Sequence, residues 1–147
     1  MSEITGPTTL TVGPFAGWST WSQGADPFET AIGPFCYRTE ADGLVAAFLP
    51  RREHLNGGGT VHGGALMSFA DFSLFAIAHH ALRGAHAVTL TCNCEFISAA
   101  RDGEVVEARG EVLRDTRTLV FVRGVAVQGG RAIMAYSGTL KKLGLAP

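Results

Sequence analysis

The sequence predicts an α+β domain, with an antiparallel β-sheet wrapped around one long central helix. Three observations lead there. Residues from about 63 to 82 form an apolar run of helix length. Four longer segments follow it with a strand-like period of two and turn residues between them. Two shorter strand-like segments come before it. Strands joined by hairpins make an antiparallel sheet, and one apolar helix can cover a face of it.

The elements read as follows. Residues 1–25 are rich in Thr, Gly, Ser and Pro without a visible period, and are expected to form an irregular arm. Phe15, Trp18 and Trp21 punctuate it and are placed to pin it onto the domain or onto a partner subunit. Residues 26–147 form the domain. Phe35 to Arg38 and Leu44 to Leu49 are predicted strands around the turn Ala41-Asp42-Gly43, and Pro50 ends the second. His54 to His62 is a loop, because three consecutive glycines cannot hold regular structure cheaply. Gly63 or Gly64 opens the helix, and Gly84 is placed to cap its end. Leu66, Phe69, Ala70, Ser73 and Ile77 form one stripe, and Met67, Asp71, Leu74, Phe75 and Ala78 another, so the helix is predicted to be buried nearly all round. Val88, Leu90, Cys92, Cys94 and Phe96 then alternate with Thr89, Thr91, Asn93 and Glu95, as a strand with one apolar and one more polar face. Glu104 to Val112, Leu119 to Val127 and Arg131 to Leu140 complete the set, with turns at Asp102-Gly103 and Gln128-Gly129-Gly130.

The chain has 147 residues, the length of one domain with a real core. A formal net charge of −1, with no basic run, gives no electrostatic case for nucleic acid or an anionic membrane. The N-terminus does not read as a signal peptide. The longest apolar stretch is broken by Asp71 and the pair His79-His80, which argues against a membrane span. A cytoplasmic location is expected. Cys36, Cys92 and Cys94 read as reduced structural thiols. The histidines lack metal-ligand spacing, so no metal site is expected.

Between Glu53 and Arg83 the only formal charge is Asp71. A carboxylate without a partner in an apolar setting is costly, and burial raises its pKa. Asn56, the Gly57-Gly58-Gly59 turn and His62-Gly63-Gly64 precede it, with Asp71 eight residues past Gly63.

In this register the segment resembles the hotdog-fold acyl-CoA thioesterases, and is most similar to the phenylacetate-degradation (PaaI-like) type. The resemblance implies a CoA thioester substrate, with coenzyme A part of the substrate and no separate cofactor. It makes Asp71 the general base or nucleophile and gives the Gly63 N–H the task of polarising the thioester carbonyl. Asn56 would orient the carbonyl or the attacking water. Thr89, contributed by the neighbouring subunit, would assist the water. His62 is expected to fix the turn. Gly64, Phe69, Phe72 and Phe75 are candidate substrate contacts. A homo-oligomer, a dimer or a dimer of dimers, is expected from the family and from the sheet edges such a fold leaves to be covered.

The chemistry suits these residues. A thiol is a good leaving group, so an activated water and an oxyanion donor suffice. A carboxylate supplies the first, and a backbone N–H at a helix N-terminus the second. Two other readings remain open from sequence. One is a hotdog enoyl-thioester hydratase or dehydratase, pairing His54 or His62 with Asp71. The other is an acyl-CoA-binding module without catalysis.

Overall fold

In the computed structural model, residues 6–145 are described. The chain runs β1 (Thr8–Thr9), β2 (Ser19–Thr20), α1 (Pro27–Ile32), β3 (Cys36–Glu40), β4 (Gly43–Phe48), α2 (Gly63–Ile77), α3 (His79–Leu82), β5 (Ala85–Phe96), β6 (Val106–Asp115), β7 (Leu119–Gln128) and β8 (Arg131–Leu145). All eight strands form one sheet in the order β1-β2-β3-β4-β6-β7-β8-β5, with every neighbouring pair antiparallel. This is the expected sheet around one main helix.

Helix α2 lies on the concave face. Leu66, Phe69, Ala70, Phe72, Leu74, Ala76 and Ile77 are buried there against Phe35, Phe48, Val106, Val122, Met134 and Leu140. The close approach depends on Gly138 of β8, where a Cβ would collide with Leu74 and with the Thr91 carbonyl. The helix is not buried all round, however. Gly64 and Met67 are exposed, and Asp71 and Phe75 are half-buried, so one stripe stays open. The helix also breaks at Ala78, and Arg83 with Gly84, both at positive φ, reverse the chain into β5.

The N-terminal arm is more ordered than its composition suggests. β1 and β2 extend the sheet beside β3. Phe15 and Trp18 bury against Cys36, Val45 and Ala47 on the side of the sheet away from α2, forming a small second core with Leu10. Trp21 turns the other way, stacking on Tyr37 and meeting Phe72 edge-on. The sequence signals of α1 are an N-cap, Asp26, and Pro27 in the first turn; the Asp26 carboxylate accepts from the Glu29 N–H at 3.0 Å.

Strand β5 departs from its predicted alternation. Its pairing with β8 slips between Thr89 and Thr91. A bulge inserts one residue and reverses which side chains face inward. Ahead of it Ala87 and Thr89 face the helix; behind it Cys92 and Cys94 do. Val88 and Leu90, expected on the covered face, are 42% and 53% exposed.

Candidate active site

Asp71 sits near the middle of α2, on the open stripe, where it looks onto β5. The bulge turns Thr89 toward it, and Thr89 Oγ1 donates to Asp71 Oδ1 at 2.6 Å within one chain. This corrects the expectation that Thr89 acts from a neighbouring subunit: a helix acid and the strand lying over it are already in contact. Burial holds the Asp71 carboxyl above its ordinary range, the Thr89 hydrogen bond opposes that rise, and the Asp26 charge adds to it. An acid so placed is half-desolvated and has one oxygen held in a fixed direction.

The loop residues form a second group. Asn56 closes the glycine turn on itself: its Oδ1 accepts from the N–H groups of Gly58 at 2.9 Å and Thr60 at 3.2 Å, and its Nδ2 donates to Thr60 Oγ1 at 3.1 Å. Gly59, at φ +80°, permits that turn. His62 is the N-cap of α2, and its Nδ1 accepts from the Gly64 N–H at 2.8 Å. The imidazole therefore fixes the turn, as expected, although it does so at the surface. Gly63 is the first helical residue, and its N–H is one of the four that an α-helix leaves without an internal acceptor. A cleft of about 360 Å³ opens there between Thr60, Gly63, Leu66, Phe96 and Ser98, with the Phe96 ring over Gly63.

These two groups do not meet within one chain. Gly63 and Asp71 are separated by eight residues of α2, or about 12 Å at 1.5 Å per residue. One thioester carbonyl cannot touch the N–H of the first and a water held by the second. The length of the helix itself keeps the oxyanion donor and the acid of one chain out of a single cavity.

The aromatic candidates separate as well. Phe69 and Phe72 are wholly buried among Phe35, Phe48 and Trp21, which makes them core residues and leaves no free face for a substrate. Phe75 is only partly covered, and Gly64 lies on the open stripe. His54 is buried with both ring nitrogens engaged: Nδ1 accepts from the Arg51 N–H at 2.9 Å, and Nε2 meets the Ile32 carbonyl at 2.6 Å. His54 is therefore not free to pair with Asp71, and His62, with only Nδ1 engaged, lies at the start of the helix, about two and a half turns from the Asp71 of its own chain. Among the described residues no three His, Cys, Asp or Glu side chains converge as a metal site.

One half-buried acid escapes the sequence reading. Glu29 of α1 is half-buried, its charge opposes that of Asp71, and its Oε2 is buried with no hydrogen-bond partner. Its only signal in the sequence is its place three residues after the N-cap, where a Glu commonly reaches back to the cap; here its side chain does not.

The thioesterase superfamily model matches residues 58–135, more than half of the chain, from the glycine turn through β7 into β8. A Pseudomonas aeruginosa protein whose name marks it as a candidate esterase is 31% identical over 116 residues, covering 78% of this chain and 87% of that one. Human acyl-coenzyme A thioesterase 13 is 30% identical over 95 residues, 64% of this chain and 68% of that one. Among solved structures, a mutant of the phenylacetic acid degradation protein PaaI from Thermus thermophilus superposes with a TM-score of 0.69 at 30% identity, covering 80% of this chain and 100% of that one. Because the matched segment carries the glycine turn, the helix with its lone acid and the strands that enclose them, the chain belongs to the thioesterase superfamily and is a hotdog-fold thioester hydrolase.

Proposed function

We propose that this chain hydrolyses acyl-CoA thioesters at a site assembled from two copies. Asp71 acts as general base, Thr89 orients it, and the Gly63 N–H of the second copy receives the oxyanion. The hydrogen-bonded pair of Asp71 and Thr89, on the open stripe of the helix, carries the reading. The kinship with human acyl-coenzyme A thioesterase 13 supports CoA as the thiol half of the substrate.

The steps follow from the residues. Asp71 takes a proton from water as the water oxygen bonds to the thioester carbon. The carbonyl oxygen gains charge against the Gly63 N–H, aided by the positive end of the helix dipole. The C–S bond then breaks, and the proton held by Asp71 goes to the leaving sulfur. Free acid and CoA thiol leave, and Asp71 is again ionised. No metal or separate cofactor takes part, because the leaving thiolate needs no Lewis acid.

The second copy is proposed to seat along β5. That strand pairs only with β8, so its outer edge presents unpaired backbone groups. Beside it lie the exposed Val88, Leu90 and Met67. An antiparallel pairing of two such edges brings the open stripe of one helix near the glycine turn of the other. Of the two histidines the hydratase alternative would need, His54 has both ring nitrogens engaged, and His62 caps α2 through Nδ1.

A thiol-release assay over aryl-acetyl, benzoyl and straight-chain CoA thioesters tests the function. Wild type should release CoA from at least one class, and Asp71→Asn should lose on the order of 10²-fold or more in kcat. Near wild-type turnover by Asp71→Asn would remove it as the base. Hydration of an enoyl-CoA without thiol release would favour the hydratase instead.

A further inference from the structure

Phe96 is the last residue of β5, and its ring lies over Gly63 rather than in either buried core. A Cβ on Gly63 would stand 3.3 Å from the ring Cζ, and 3.6 and 3.7 Å from Cε2 and Cε1, so the tip of the ring covers that glycine. The backbone gives no separate reason for glycine here. Gly63 is helical and, unlike Gly59, is not at positive φ. The ring occupies the space that a side chain would need. At 53% exposure it gains little from burial. It forms one wall of the cleft of about 360 Å³, which the buried Val61, Leu66 and Ala100 also line. In a helix the Cβ tilts toward the N-terminus, and the first N–H groups point the same way. The ring tip therefore stands beside the path by which a carbonyl oxygen reaches the Gly63 N–H. An oxygen accepted there at about 2.9 Å brings the carbonyl carbon and its substituents up to the ring. The sulfur carries the long polar CoA arm, which is too large for this cleft. The acyl group is the half that fits against Phe96.

We propose that Phe96 is a specificity-determining residue of the acyl subsite: its ring tip admits an unbranched carbon next to the thioester carbonyl and disfavours a branched one. This rests on the reading of Gly63 as the oxyanion donor. A methylene keeps a hydrogen toward the ring in two of its three staggered rotamers. A branched carbon does so in only one, and both of its methyl groups then crowd the rest of the cleft. In the other two a methyl meets the ring, which already leaves too little room for a Cβ on Gly63. Relief comes only if the carbonyl backs away from the N–H, which weakens the oxyanion bond. The ground state can shift in this way and the transition state cannot, so the loss falls on kcat more than on KM.

Two measurements on the full chain test this. The first is kcat/KM for butyryl-CoA and its isomer isobutyryl-CoA, in wild type, Phe96→Tyr, Phe96→Leu and Phe96→Ala. Wild type should favour the straight isomer by about tenfold or more. Phe96→Ala should bring the two within about threefold, and Phe96→Leu, which keeps an apolar cover, should fall between. Phe96→Tyr keeps the ring and should match wild type. Comparing variants cancels the intrinsic reactivity of the two thioesters. A purely structural Phe96 would lower both rates together and leave their ratio unmoved. The second measurement is thermal unfolding of Gly63→Ala in the wild-type and Phe96→Ala backgrounds. The added methyl should be better tolerated once the ring is gone, by about 2 °C or more in Tm. A wild type that takes both isomers alike, an isomer ratio unchanged in Phe96→Ala, or an equal Tm effect of Gly63→Ala in both backgrounds overturns the proposal. The expected Tm coupling with no thiol release by wild type from any CoA thioester would instead strike the thioesterase reading, since the unfolding cycle does not depend on turnover.

Discussion

At the scale of single residues, the bond from Thr89 to Asp71 tunes the carboxyl that is proposed as the base. The hydrogen bond favours the ionised carboxylate and partly offsets the rise caused by burial. If Asp71 is the base, activity requires its ionised form and should be lost as pH falls through the Asp71 pKa. Removing the hydroxyl in Thr89→Ala raises that pKa, and the acid limb of kcat/KM should move to higher pH. A Thr89→Ser variant should restore the limb; an unmoved limb in Thr89→Ala would show that the hydroxyl does not act through Asp71. Linkage gives the stability side of the same argument. Asp71 binds its proton more tightly folded than unfolded, so its contribution is present at low pH and lost as pH rises through the folded pKa. At neutral pH, Asp71→Asn removes a half-buried charge and should leave Tm unchanged or higher, while kcat collapses. Asp71 was legible in the sequence because it is the one formal charge in a long apolar run. The burial of Glu29 was not, because it is made by tertiary packing around α1 rather than by any local pattern.

At the scale of elements, the start of α2 is where chemistry and stability meet. His62 caps the helix through Nδ1, and that bond fixes the geometry in which Gly63 presents its N–H. Loss of a cap costs about 1 kcal/mol, so His62→Ala should lose about that much stability along with turnover. Asn is itself a favoured N-cap, so His62→Asn should recover most of both, as read by thermal unfolding and thiol release. Recovery of stability without activity would mean that the imidazole does more than cap. The helix, the four strands after it and the two before it were all legible from period and turn residues. The inward faces of β5 were not. Its pattern Val88, Leu90, Cys92, Cys94, Phe96 predicts one continuous apolar face, and a single bulge at Leu90 exchanges the faces ahead of it. Periodicity does not encode an inserted residue, and this one turns Thr89 inward to Asp71 while leaving Val88 and Leu90 on the open surface.

At the scale of the whole molecule, the length of α2 decides how the site is assembled. A donor at Gly63 and a base at Asp71 stand about 12 Å apart on one helix, beyond the reach of one carbonyl and one water. In the proposed dimer, two copies related by a two-fold axis would solve this, the glycine turn of each facing the Asp71 of the other. On that proposal Asp71 and Thr89, bonded within one chain, belong to the same half-site, and Asn56 with Gly63 to the opposite half. Mixing experiments separate the two groupings. An Asp71→Asn subunit paired with a Thr89→Ala subunit leaves a lesion in both sites of the mixed dimer, so mixing should bring no gain. Pairing Asp71→Asn with Asn56→Ala places both lesions in one site and leaves the other intact. With equal subunits and free exchange, half of the dimers are mixed and each holds one working site, so activity should approach about a quarter of wild type. The same dimer requirement predicts that specific activity falls on dilution below its dissociation constant. A gain in the first mixture, or none in the second once exchange is demonstrated, would overturn this division of the site. Full activity in a demonstrated monomer would show that one chain reaches both ends of its own helix, which the rise of α2 forbids.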